Sequence, residues 1–105
     1  GSYTGNGSSD GPFIYTGFRP AWIMLKAAST TSNWVILDNR RPGYNRDLDT
    51  LCANLASAED ASAGTTNSIV SNGLKIEGGS DRNISGATYI YLAFAEQPFK
   101  YANAR

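Results

Sequence analysis

Thr88-Tyr89-Ile90-Tyr91-Leu92-Ala93-Phe94-Ala95-Glu96 is an aromatic and apolar run. No lysine, arginine, aspartate or glutamate interrupts residues 88–95. Two side-chain rows alternate along it: Thr88, Ile90, Leu92 and Phe94 form one, and Tyr89, Tyr91, Ala93 and Ala95 the other. Successive side chains of a strand point to opposite faces. A run apolar on both rows therefore predicts a central strand of a sandwich or a strand at a subunit contact.

Upstream of it, Ser71-Asn72-Gly73-Leu74 carries a hairpin signal. Asn-Gly accepts the positive dihedrals of a two-residue type I′ turn, which predicts a reversal at Asn72-Gly73 between strands over residues 66–71 and 74–78. Further back, Ala21, Ile23, Leu25 and Ala27 alternate with Trp22, Met24 and Lys26, and the lysine suggests that the second row reaches solvent. Residues 34–38 resume the strand pattern and are predicted to pair antiparallel with residues 22–26. Phe13, Ile14 and Tyr15 suit a short strand, followed by a turn at Gly17-Phe18-Arg19-Pro20, where the proline biases Arg19 toward extended backbone. Residues 1–12, rich in glycine, serine and asparagine, read as a loop or linker-like start. Residues 51–63 hold the only helix candidate, one or two turns at most, because a short helix with a thin apolar stripe gains little. About seven short strands joined by glycine-rich turns predict an all-β fold: a small antiparallel β-sandwich, jelly-roll-like, with a small open β-barrel as the alternative.

A chain of 105 residues fits one domain. Beginning at a glycine, it reads as a module or fragment of a longer protein. Nine basic and nine acidic residues cancel. That balance argues against nucleic acid, whose binders carry a basic excess to neutralise phosphates. Cys52 is the single cysteine, so no internal disulfide framework is available. No apolar run reaches the length of a membrane-spanning helix, and membrane insertion is not expected.

Chemistry is sparse. Histidine is absent, which removes imidazole-dependent triads and metal sites. Asp38, Asp47, Asp49, Glu59 and Asp60 are the carboxylates that a glycoside-cleaving pair would draw on. They are spread along a mixed-charge stretch and read better as solvated loop charges. Asp47 and Asp49 have the oxygen chemistry for calcium, without an EF-hand pattern. No catalytic residue, cofactor or metal site is assigned, and a non-enzyme is expected. What remains is aromatic: Trp22, Trp34, Tyr15, Tyr44, Tyr89 and Tyr91 suit either a core or a contact with a protein or an apolar sugar face. The candidate contact residues are Tyr44, Asn45, Asp47 and Asp49, in a charged, proline-containing loop over residues 40–49, together with Trp22.

Several ordered motifs add to this reading. Gly1-Ser-Tyr-Thr-Gly-Asn-Gly7, Asp10-Gly-Pro-Phe-Ile-Tyr-Thr-Gly-Phe-Arg-Pro-Ala-Trp22, Ser71-Asn-Gly73 and Ser85-Gly-Ala-Thr-Tyr-Ile-Tyr91 occur in sequence, followed by Ala93-Phe-Ala-Glu96 and Pro98-Phe-Lys-Tyr-Ala-Asn-Ala-Arg105. Over nearly its whole length the chain resembles a β-rich domain family of tailed-phage virion proteins, common in marine phages and prophages and usually labelled tail-fibre or uncharacterised. The resemblance implies a structural or tail-associated adhesion module on the virion, in the tail or on its outer surface. Its implied partners are other virion subunits or copies of itself, with a host-surface glycan as a further candidate. The resemblance carries no catalytic residues onto these positions. A polysaccharide-acting enzyme domain and a cellular carbohydrate-binding module are the competing functions.

Overall fold

The computed structural model of the chain describes residues 1–41, 50–59, 66–78 and 81–97. Among these residues eight strands follow one another: β1 (Ser2–Thr4), β2 (Phe13–Tyr15), β3 (Pro20–Ala27), β4 (Val35–Asp38), β5 (Leu51–Cys52), β6 (Thr66–Val70), β7 (Gly73–Glu77) and β8 (Thr88–Ala95). They form two antiparallel sheets, one of five strands in the order β1-β8-β3-β4-β5 and one of three in the order β2-β7-β6. Among the described residues the sheets pack against each other without closing into a barrel.

The core lies between them. Ile23, Leu25, Val35 and Leu37 project from the five-stranded sheet, and Ile14, Ile69, Leu74 and Ile76 meet them from the three-stranded one. Alternation within β3 produces this directly: Ile23, Leu25 and Ala27 are buried, while Trp22, Met24 and Lys26 on the other face are only half-buried. β3 pairs with β4 in the expected antiparallel register, Met24 opposite Ile36 and Leu25 opposite Val35. Pro20, which has no N–H to give a ladder, sits at the first position of β3 beside a register shift, where a proline is tolerated.

β8 lies between β1 and β3. Its inward row is the tyrosine and alanine one. Tyr89 is 1% exposed, and Tyr91 and Ala93 pack on the core. The row of Ile90, Leu92 and Phe94 points away from the core and is 43%, 50% and 56% exposed. Of the two expected placements, a central strand or a strand at a subunit contact, β8 is central in its sheet, but the interior reading fails for its outer row: the second sheet covers only one face of β8, and a flat sheet can bury its other face only against a further layer.

Three other expectations change. The two residues of the β6–β7 turn are Ser71 and Asn72, because the closing pair is Val70–Gly73. Gly73 is a strand residue, also paired with Tyr15 of β2. A Cβ on Gly73 would lie 2.0 Å from the Ile14 carbonyl oxygen, so close passage of β2, rather than turn geometry, requires glycine there. The Asn72 carbonyl then accepts from the Thr16 and Gly17 N–H groups, holding the turn against the β2–β3 connection.

In the part of the 51–63 helix candidate that is described, residues 51–59, there is no helix. Leu51 and Cys52 pair with Ile36 and Val35 as β5, since the open edge of β4 offers backbone hydrogen bonds that an isolated turn of helix lacks. Residues 60–63 lie outside the described residues. Residues 1–12 are not simply linker-like either. Ser2–Thr4 forms β1 on β8, and the segment after it is held by Asn83. The fully buried Asn83 amide donates toward Asn6 Oδ1 at 3.0 Å, the Ser8 carbonyl at 2.8 Å and the Gly78 carbonyl at 3.1 Å. Its own oxygen accepts the Asn6 N–H at 2.8 Å.

Candidate functional site

Cross-strand register places one set of apolar side chains together on the outer face of the five-stranded sheet. Residues directly opposite in an antiparallel pair share a face. Trp22 is opposite Phe94, Met24 is opposite both Leu92 and Ile36, Lys26 is opposite Ile90, and Ile36 is opposite Leu51. Alternation with the buried Val35 carries exposed Trp34, one residue before β4, onto the same side. The Trp22 and Phe94 rings are in contact, with centroids 5.6 Å apart and planes at 55°, which fixes one end of the patch as an aromatic platform.

The polar groups of this face sit at its margins. Lys26 lies at one end of the β3 row and donates to the Ala27 carbonyl. Asp38, opposite Trp22, lies at the other. Burial raises the Asp38 pKa, but the backbone N–H groups of Arg41 and Arg40 and the Arg41 guanidinium outweigh it and hold the carboxyl below its ordinary value. Arg41 Nε is 2.7 Å from Asp38, Nη1 is 3.1 Å from Glu59, and Nη2 donates to the Ile36 carbonyl at 3.1 Å. Beyond Phe94, Glu96 accepts from Arg19 Nε at 3.0 Å and from Asn39 at 2.6 Å. Arg19 Nη1 also donates to the Ile69 carbonyl of β6, so this corner ties the two sheets together. β1 covers the β8 edge only through Tyr91, whose N–H donates to the Gly1 carbonyl. Past that point, residues 92–95 have no partner strand on that side among the described residues.

A cleft of about 250 Å³ opens elsewhere, between the β4–β5 edge and the loop before β8, lined by Val35, Thr50, Cys52, Leu55, Asp81 and Arg82. Buried Arg82 donates to Thr50 Oγ1 at 2.7 Å there, a contact that holds β5 to the loop. Among the described residues, no three acidic or cysteine side chains gather into a metal-binding group.

Of the contact residues expected from sequence, Trp22 belongs to the apolar face. Tyr44, Asn45, Asp47 and Asp49 lie outside the described residues. The sequence offers Ile90, Leu92 and Phe94 as one row of a strand that is either central or at a subunit contact, but does not single out Met24, Ile36 and Leu51 as contact residues. The signal that identifies them is the apolar outer row of β8 set beside the Trp22-Met24 row of β3, which only the register joins.

The family described as a domain of unknown function, DUF7483, matches residues 1–98, and the chain belongs to it. No curated protein and no solved structure matches the chain.

Proposed function

We propose that this member of the DUF7483 family is a non-enzymatic structural or adhesion module of a phage virion, in the tail or on the outer surface, that works by docking an apolar sheet face onto another virion component. The observation that carries the docking reading is the outer face of the five-stranded sheet. The outward row of an ordinary two-sheet sandwich is polar, whereas here Ile90, Leu92 and Phe94 stand beside Trp22, Met24 and Ile36. The virion setting rests on the ordered motifs from residue 1 to residue 105 and their resemblance to tailed-phage proteins. Two packed antiparallel sheets are compatible with the finer jelly-roll-like description, and such rigid platforms suit repeated subunit contacts.

Immunogold electron microscopy tests the setting. Antibodies raised against the purified domain are applied to particles of a phage whose genome encodes the chain. Label at a fixed position on the particle is expected. Particles that remain bare while the same antibodies detect the protein in the lysate would overturn the reading.

A further inference from the structure

We infer that the occupant of the apolar outer face is the same face of a second copy of this chain, related by a two-fold axis that lies between the two sheets and crosses β3 and β8 at the Met24–Leu92 pair. This rests on the docking reading above and names its partner.

Ile90, Leu92 and Phe94 are about half exposed. With the exposed Trp34 and the half-buried Trp22, Met24, Ile36 and Leu51, they offer on the order of 500 Å² of apolar surface, at the upper end of what a monomer leaves uncovered. A polar rim of Lys26, Thr88, Asp38 and Glu96 brings the whole face toward the ~800 Å² per partner of a standard interface. A sheet face is flat, so two copies can pack as aligned sheets do within a sandwich, about 10 Å apart.

Charge selects the orientation. On β3 the outward row runs from the aromatic Trp22 through Met24 to the cationic Lys26. An axis running along the strands would set the Lys26 ends of the two copies together. The axis crossing the strands instead places Lys26 of each copy on the Trp22–Phe94 platform of the other, where an ammonium is attracted to the negative ring face. Met24 and Leu92 then meet their own counterparts on the axis, as an isologous contact requires. Zero formal charge leaves no long-range repulsion between copies.

Sedimentation equilibrium on the full chain from about 1 to 200 µM, which brackets micromolar association, tests this alongside tryptophan emission. Both tryptophans of the chain belong to the proposed interface, so emission is expected to shift to the red as the dimer is diluted. Wild type is expected to sediment as a dimer, and Leu92→Lys as a folded monomer that melts where wild type melts once diluted to monomer, because Leu92 supports no core contact and only the stabilisation from association is lost. Lys26→Glu is expected to weaken dimerisation at least tenfold. A wild-type monomer across the range would overturn the second-copy occupant while leaving the virion module testable by its label. A Leu92→Lys protein that still dimerises, or a Lys26→Glu protein that dimerises as well as wild type, would overturn the proposed face or its two-fold arrangement.

Discussion

Asn83 shows how much can depend on one polar side chain. Its amide, with two hydrogens to give, lies within reach of three carbonyl or amide oxygens, and its oxygen takes the Asn6 N–H. Alanine there leaves at least the Asn6 N–H and the Ser8 carbonyl without their buried partner. Asn83→Ala is therefore expected to lower unfolding free energy by about 2–4 kcal/mol in a urea titration. Hydrogen exchange should rise first in residues 5–11. Gly73 makes the opposite point, since what matters is an atom that is missing. With the Ile14 carbonyl oxygen 2.0 Å from any Cβ, Gly73→Val forces β2 off β7. A loss of about 3 kcal/mol or more in the same titration is expected, because a backbone atom cannot move aside as a flexible side chain can.

At the scale of the element, the alternation of β3, its pairing with β4 and the existence of the β6–β7 hairpin were all legible, because each is a local pattern of period two. The turn position was not, because Asn-Gly is a local preference and Gly73 answers to β2, nearly sixty residues away in the chain. β1 and β5 were missed for a related reason: short polar or mixed segments become strands only because β8 and β4 present edges to them. In β8 the doubly apolar pattern was visible, but which row faces the core depends on the sheet packed below it. The two rows make a direct test. Tyr89→Asp puts a charge where the ring stacks on Tyr3, with centroids 4.8 Å apart, and its hydroxyl binds the loop before β8. It is expected to abolish cooperative unfolding by circular dichroism. Leu92→Asp, on the exposed row, is expected to keep the native spectrum and melt within a few degrees of wild type. Loss of folding in both would return the whole strand to an interior.

For the molecule as a whole, titratable groups set the pH window in which the fold is stable. Burial first, and then the neighbouring Tyr89, push the Tyr3 phenol well above its ordinary value, against a smaller opposing effect of Arg82. Burial likewise raises Tyr89, with the Ile84 N–H opposing it. In the unfolded chain both ionise near pH ~10. The folded state holds its protons more tightly, so the contribution of this pair is present in full below that pH. It is lost as pH rises from there toward the folded values, since the unfolded state then binds fewer protons than the native one. Asp38 works in the other direction. Its folded pKa is depressed, so its contribution is present above the unfolded carboxylate value near ~4 and lost as pH falls through the folded one. Denaturant midpoints measured from about pH 2 to 12 are expected to form a plateau with both limbs falling. Tyr3→Phe removes one titrating group and its hydrogen bond to the Arg82 carbonyl at 2.9 Å. At neutral pH it is expected to cost about 1 kcal/mol, and its alkaline limb should fall less steeply than that of wild type. Asp38→Asn should flatten the acid limb and leave the alkaline one in place. An alkaline limb of the same slope in Tyr3→Phe and wild type would show that Tyr3 does not carry the linkage, and that the stacked pair joining β1 to β8 holds through packing alone.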